Sequence, residues 1–157
     1  MTDPMDGLRS FQQALTDKLI APQICKENTQ LFILEDKAEG KYRLTYAKIS
    51  QGEAQAIVMF VPVEPINGKA CFNVGYAVDP QHRNQGAGAS ILQESIEEMR
   101  TGLGRHGVGS YYLEAVVSPT NVASIKIAEK HLSAAPEKII DQVSGENALQ
   151  YLRLVTV

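Results

Sequence analysis

The sequence predicts an α/β domain of the α+β type, with antiparallel N-terminal strands, a parallel central pair of strands and flanking helices around one mixed sheet. Two observations predict it. Between residues 31 and 78, apolar runs rich in strand-forming residues alternate with polar turns that contain glycine, which indicates successive hairpins. Between residues 70 and 117, a strand, a helix and a strand follow one another without a hairpin, and such a crossover makes the two strands parallel neighbours. We therefore expect about six or seven strands in the sheet.

The individual elements follow from their periodicity. Apolar residues recur every three or four positions from Leu8 to Leu19, which predicts an amphipathic helix over residues 6–20 that Pro22 ends. Pro62 places the end of its strand at a sheet edge or a bulge, because proline cannot donate to a ladder. The strands are predicted over residues 31–34, 42–49, 54–63, 70–78, 110–117, 137–143 and 148–155, the last two as a terminal hairpin.

Two helices are predicted after the hairpins. Residues 101–109 contain four glycines, which predicts that the central helix stops there and gives way to a mobile connection. The following helix opens with Thr120 or Asn121 as its cap and ends near Ser133.

Composition and charge limit the class of protein. At 157 residues with 44% hydrophobic residues, the chain is expected to form one domain over residues 1–157. The net charge of −3 argues against a nucleic-acid partner, and no apolar run approaches the roughly 18 residues of a membrane span. Cys25 and Cys71 offer neither a disulfide framework nor the spacing of a metal site. They are read as two reduced thiols of a cytoplasmic protein.

The most informative stretch covers residues 73–92. A strand ends at Asp79-Pro80, and Arg83-x-x-Gly86-x-Gly88 then leads into a helix. Glycines at a helix entrance let a ligand approach the free N–H groups there, which is typical of a phosphate site. A tight loop with nothing bound is the plainer interpretation of the glycines alone. Two known phosphate loops fail, because the stretch lacks both a GK[ST] ending and the third glycine of a dinucleotide site.

The stretch resembles the signature of the GNAT acyltransferase superfamily, Q/R-x-x-G-x-G/A between a strand that ends in Val and a long helix. Val78, Arg83, Gly86 and Gly88 match it. A second stretch, residues 113–130, resembles the second signature of the family, and its N-x-x-S followed by E-K is similar to the branch of ribosomal-protein N-terminal alanine acetyltransferases. The Gly-Tyr pair before Ala77 also fits that branch, and the resemblance runs from about Ala54 to Lys130.

The resemblance implies an N-acetyltransferase that uses acetyl-CoA and acetylates a primary amine, a peptide N-terminus or a small molecule, by direct attack in a ternary complex. It implies that the parallel strands splay apart at their C-terminal ends and that the pantetheine arm pairs with the first of them. A backbone N–H near Ala77 or Val78 would face the thioester oxygen. It is also compatible with a homodimer. The implied cofactor-binding residues are Tyr76, Ala77, Val78, Arg83, Asn84, Gln85, Gly86, Ala87, Gly88, Ala89, Asn121 and Ser124. A bulky residue at either glycine is expected to block the pyrophosphate and leave the chain folded.

The side-chain catalysts are less regular. Many members of the family carry a base Glu early in the first parallel strand, where this chain has Phe72 or Asn73. Many also carry a Tyr acid where this chain has Ala128. The resemblance makes Ser124 the candidate proton donor, although a helix serine can also bond back to a carbonyl.

Glu114 is the candidate that positions or deprotonates the amine through water, and a solvated strand residue is its plainer interpretation. Tyr76 or Tyr112 would be next in line as acid. A catalytically silent module that binds acyl-CoA is the competing function.

Overall fold

The structure is a computed structural model that describes residues 3–157 as one eight-stranded sheet flanked by helices. The helices are α1 (Pro4–Thr16), α2 (Ala87–Arg105) and α3 (Val122–His131), with a 3-10 turn at Pro80–His82. The strands are β1 (Gln23–Ile24), β2 (Phe32–Ala38), β3 (Lys41–Ser50), β4 (Glu53–Ile66), β5 (Lys69–Val78), β6 (Ser110–Val117), β7 (Glu137–Ile140) and β8 (Asn147–Thr156). Their order is β1-β2-β3-β4-β5-β6-β8-β7, which confirms the mixed sheet. The strand beyond the predicted seven is β1, whose two residues are too short to leave a periodic signal.

The parallel pair is short and then parts. β5 and β6 pair only at Cys71↔Tyr112, Phe72↔Leu113 and Asn73↔Glu114. Beyond that point β5 continues to Val78 with β4 as its partner, and β6 continues to Val117 with β8. The two parallel strands therefore splay at their C-terminal ends, as predicted.

Helices cover the sheet on both faces. α2 and α3 bury one face, with Phe60, Val74, Ile91 and Leu92 among its core residues. Full burial of each such side chain stabilises the fold by roughly 1.5–3 kcal/mol relative to exposure. On the other face α1 places Leu8, together with Phe11, against Ile57 and Ala77. Since side chains alternate along a strand, β5 presents Tyr76 to α3 and Ala77 to α1.

Two predicted helix ends are wrong. α1 stops at Thr16, because Lys18 takes a left-handed conformation (φ 56°), and Leu19 is 76% exposed, outside the apolar stripe. α2 instead passes through its glycines to Arg105, and Gly107 (φ 81°) follows its end. Gly104 allows close packing because it has no side chain: a Cβ there would lie 2.6 Å from Val157 Cγ1.

The interpretation of Pro62 is confirmed. β3 pairs with β4 as far as Leu44↔Phe60, so Pro62 lies where β4 has β5 as its one neighbour, opposite Phe72. An irregularity follows between Val63 and Ile66. None of the helices found in residues 3–157 has the length and apolar character needed to cross a membrane.

Candidate active site

The loop between β5 and α2 is held by its own polar contacts. The Asp79 carboxylate accepts the backbone N–H of Gln81 at 3.0 Å and so begins the 3-10 turn. Arg83 Nε donates to the carbonyl of Val78 at 3.2 Å, and its guanidinium also lies 3.4 Å from Met5 Sδ. Arg83, the predicted phosphate-binding arginine, therefore also braces the loop. Asn84 and Gln85 are exposed, and Asn84 takes a left-handed conformation (φ 61°).

The N-terminus of α2 is open to a ligand. Its N-cap is Gly86, which offers no side-chain hydrogen bond to the first-turn N–H groups, and the first turn contains no acidic residue. The backbone N–H groups of Ala87, Gly88 and Ala89 lack an intrahelical acceptor at this position. They point outward at the positive end of the helix dipole, which is the arrangement that binds phosphate oxygens.

The two glycines of the loop have different roles. Gly86 has φ +75°, and a Cβ added there would meet nothing within 4 Å. At Gly88 a Cβ would lie 3.0 Å from Ile127 Cδ1 and 3.3 Å from Val78 Cγ2. Gly88 therefore sets the close packing of α2 on α3 and β5. A bulky residue there would disturb the fold, so the expectation of a folded, non-binding variant applies to Gly86 alone.

Alternate backbone N–H groups of β5 point into the splay. The N–H of Asp79 donates to Gln55 O of β4 at 2.8 Å, and Ala77 pairs with Ile57 two residues earlier. Because hydrogen-bonding groups alternate along a strand, Ala77 also bonds toward β4, and the N–H groups of Tyr76 and Val78 point away from it. Of the two predicted N–H groups, that of Val78 faces the splay, whereas the Ala77 side chain is buried under α1.

α3 is tied to β5 across the splay. Tyr76 Oη donates to the Ser124 carbonyl at 2.8 Å, and burial raises the pKa of this phenol to about 12. Asn121 Oδ1 accepts the Ser124 N–H at 3.1 Å, which confirms the cap. The Ser124 hydroxyl is half-buried and forms a side-chain hydrogen bond with Tyr76, and within residues 3–157 it does not donate to a helix carbonyl. Ala128, one turn later, is fully buried in the core.

Glu114 lies at the fork, on the face opposite α2 and α3. It occupies the last position of β6 that pairs with β5, and its side chain alternates with the buried Leu113 and Ala115. Asn73 Nδ2 donates to Glu114 Oε1 at 3.2 Å, and Gln150 Nε2 of β8 donates to Oε2 at 2.7 Å. The sequence did not single out Gln150, because β8 is placed beside β6 only by the strand order of the sheet.

Two further side chains on this face have partners or burial that keep them apart from the splay. Tyr112 Oη accepts a hydrogen bond from Asn67 Nδ2 at 3.2 Å, in the β4–β5 turn, away from the splay. Cys71, two residues before Asn73, is 1% exposed, and the pKa of its thiol is raised to about 11 by burial and by the charge of Glu114. Cys25 is also free and buried.

Comparison with solved structures shows the same fold in acetyltransferases. The chain is similar to RimL, a ribosomal L7/L12 α-N-protein acetyltransferase in complex with coenzyme A, at 22% identity and a TM-score of 0.51. The match covers 73% of this chain and 63% of RimL, so the chain spans less than two thirds of that protein. A ribosomal-protein-alanine N-acetyltransferase from Brucella melitensis matches at 22% identity and a TM-score of 0.52, over 74% and 70% of the two chains.

A third solved structure covers nearly the whole chain. It is an acetyltransferase of the GNAT family from Streptococcus pneumoniae, with 14% identity, a TM-score of 0.54, and coverage of 98% of this chain and 96% of that one. No curated protein matches the chain. The family model for the acetyltransferase (GNAT) family matches residues 10–133, well over half of the chain. The chain therefore belongs to the GNAT acetyltransferase family, as its two sequence signatures implied.

Proposed function

We propose that this domain is an acetyl-CoA-dependent N-acetyltransferase that acetylates a primary amine by direct attack in a ternary complex. The observation that carries the proposal is the splay between β5 and β6 beyond Asn73↔Glu114. An uncapped helix N-terminus opens on one face of the sheet beside it, and a carboxylate lies on the opposite face. Donor and acceptor can therefore enter from opposite faces and meet in the gap.

On the donor side, main-chain groups perform most of the binding. The first-turn N–H groups of α2 would hold the pyrophosphate, and the main chain of Tyr76 and Val78 would pair with the pantetheine arm. The Val78 N–H would stabilise the oxyanion that develops on the acetyl carbonyl. Acetyl-CoA supplies the activated acetyl group when bound. The full set proposed to line this site is Tyr76, Ala77, Val78, Arg83, Asn84, Gln85, Gly86, Ala87, Gly88, Ala89, Asn121 and Ser124.

On the acceptor side, Glu114 would remove a proton from the incoming ammonium, directly or through one water, because only the neutral amine is a nucleophile. Its negative charge would also attract the cationic form of the acceptor. Ser124 would supply a proton to the departing thiolate, with water restoring the hydroxyl proton. Its hydroxyl lies beside the Tyr76 phenol, with which it forms a side-chain hydrogen bond.

We propose a peptide N-terminus or a small-molecule amine as the acceptor. RimL and the Brucella protein are described as ribosomal-protein acetyltransferases, which supports the peptide alternative. Two buried free thiols suit a reducing compartment, and we propose the cytoplasm. A homodimer is part of the same proposal.

Two measurements test the proposal. Thermal unfolding with acetyl-CoA, CoA or NAD should show stabilisation by the first two alone. Thiol release from acetyl-CoA should then be measured with peptides that have a free N-terminus, with the same peptides blocked, and with a polyamine and an aminoglycoside. Release that requires a free amine supports the transferase. Binding of acetyl-CoA without release across the panel would overturn it and favour the silent module.

We expect Ser124→Ala to lower turnover roughly 10- to 100-fold, at the low end for a general acid or below it, with acetyl-CoA affinity nearly unchanged. The reason is that the variant removes a proton donor, while the backbone contacts of residue 124 to Tyr76 and Asn121 remain. Single-turnover rates and acetyl-CoA titration measure the two effects, with Ser10→Ala on the exposed face of α1 as the control. Unchanged turnover would assign the proton to water. A collapse of cofactor affinity would make Ser124 a binding residue.

The raised pKa of the Tyr76 phenol predicts that the protein loses stability at alkaline pH. Burial raises its folded pKa from 10.0 to about 12, so its contribution is complete below pH 10 and is lost as pH rises from 10 to 12. In that window the free energy of unfolding of the parent should fall more steeply than that of Tyr76→Phe, by up to about 1.4 kcal/mol per pH unit. Urea unfolding at several pH values measures it, with Tyr42→Phe at an exposed ring as the control. Equal slopes for Tyr76→Phe and the parent would contradict the assignment.

A further inference from the structure

The carboxylate of Glu114 is held by two neutral amides, one on each side. Asn73 lies directly opposite it in the parallel register and donates to Oε1 at 3.2 Å. Gln150 pairs with Val116 on β8, so it reaches Glu114 diagonally and donates to Oε2 at 2.7 Å. Three adjacent strands thus contribute one side chain each to a cluster at the fork, which we call the amide–carboxylate cluster (Asn73, Glu114 and Gln150).

The chemistry of this cluster suits a carboxylate that is oriented by neutral donors and not paired with a cation. An ionised carboxylate only accepts hydrogen bonds, and both amides donate to it. A guanidinium or ammonium partner would also orient the group but would offset its charge. Within residues 3–157 none of the ion pairs includes Glu114. The cluster therefore fixes direction while leaving the full negative charge available to a cation.

Asn73 occupies a position at which the family resemblance implies a Glu. In the family resemblance, a base Glu is expected on β5 at Phe72 or Asn73. Here the amide at Asn73 points at a carboxylate on the neighbouring strand. In this chain the acidic group at the fork thus lies on β6, and the residue on β5 is an amide that donates to it.

We propose that Asn73 and Gln150 are positioning residues, which orient the Glu114 carboxylate toward the splay for proton removal. The inference rests on the proposed function, in which Glu114 is the base. Gln150 is the sharper case, because its bond is the shorter one and it belongs to β8, outside both sequence signatures and outside residues 10–133.

The test is a double-mutant cycle on turnover. Gln150→Met keeps the length of the side chain and removes the donor, and we expect kcat to fall roughly 10- to 100-fold. The KM for acetyl-CoA should stay within about twofold, since the amide acts on the opposite face of the sheet from the phosphate loop. In a Glu114→Gln background the same change should cost less than about twofold, because the group that it orients is gone. Asn73→Leu should behave in the same way with a smaller effect, in keeping with its longer bond.

Controls separate positioning from damage to the fold. Gln142→Met makes the same chemical change in the exposed β7–β8 connection and should leave turnover unchanged. If Gln150→Met costs the same factor with and without Glu114, its role is structural and the inference fails while the proposed function stands. If Glu114→Gln itself leaves turnover unchanged, the assigned base fails first. If Gln150→Met alone has no effect, the positioning role is overturned directly.

Discussion

In the Glu114→Gln variant we expect turnover near neutral pH to fall roughly 10²- to 10⁴-fold, the range for loss of a general base. Glutamine preserves the size of the side chain and its place at the fork, but it cannot accept the ammonium proton. Acetyl-CoA should still bind, because Glu114 lies on the face opposite the α2 terminus. Single-turnover acetylation and acetyl-CoA titration separate the two effects.

The pH dependence makes this prediction specific. A peptide α-amine has a pKa of about 7.7–8.0, so above that range most of it is already neutral and needs no base. The deficit of Glu114→Gln should therefore shrink as pH rises from 6 to 9. Glu35→Gln, at an exposed strand position on β2, should behave as the parent at every pH. A deficit that is constant across this range would contradict a role in proton removal.

The second large effect is expected at Gly86. Replacing it with alanine should weaken CoA binding at least about tenfold, or 1.4 kcal/mol. The added methyl group would meet no protein atom within 4 Å, and we expect it to crowd a phosphate bound at the α2 N–H groups beside it. Its left-handed conformation adds a folding cost of roughly 1–2 kcal/mol. Isothermal titration with CoA and with dephosphorylated pantetheine would show whether the loss belongs to the phosphates.

A matched variant removes the folding cost from this comparison. Gly40 in the β2–β3 turn has φ +78°, and a Cβ there also meets nothing within 4 Å. Gly40→Ala should thus lose about the same stability as Gly86→Ala and bind CoA as tightly as the parent. Equal CoA affinity in both variants would show that the loop is not the phosphate site.

Local sequence patterns predicted the donor side well. The alternation before Asp79, the loop glycines and the Asn121 cap are each determined by residues close together in the chain, and the structure has the strand, the loop and the capped helix at those positions. The different roles of Gly86 and Gly88 could not be predicted from the sequence, because they depend on Ile127 of a different helix.

The acceptor side could be predicted only in part. Glu114 could be nominated from the alternation of β6, since neighbouring positions along one strand settle which side chains share a face. Its partner Gln150 could not, since that contact requires β8 to lie between β6 and β7.

The early end of α1 could not be predicted either, because Leu19 continues the apolar spacing although Lys18 has already left the helix.

The burial of Cys71 beside Glu114 has a consequence for the kinetic route. With a pKa of about 11, its thiol is ionised at neutral pH in only about one molecule in 10⁴. At 1% exposure it also cannot approach a thioester. We therefore expect no ping-pong mechanism through an acetylated Cys71. Burial is the main cause of the raised pKa of Cys71, and the charge of Glu114 adds to it.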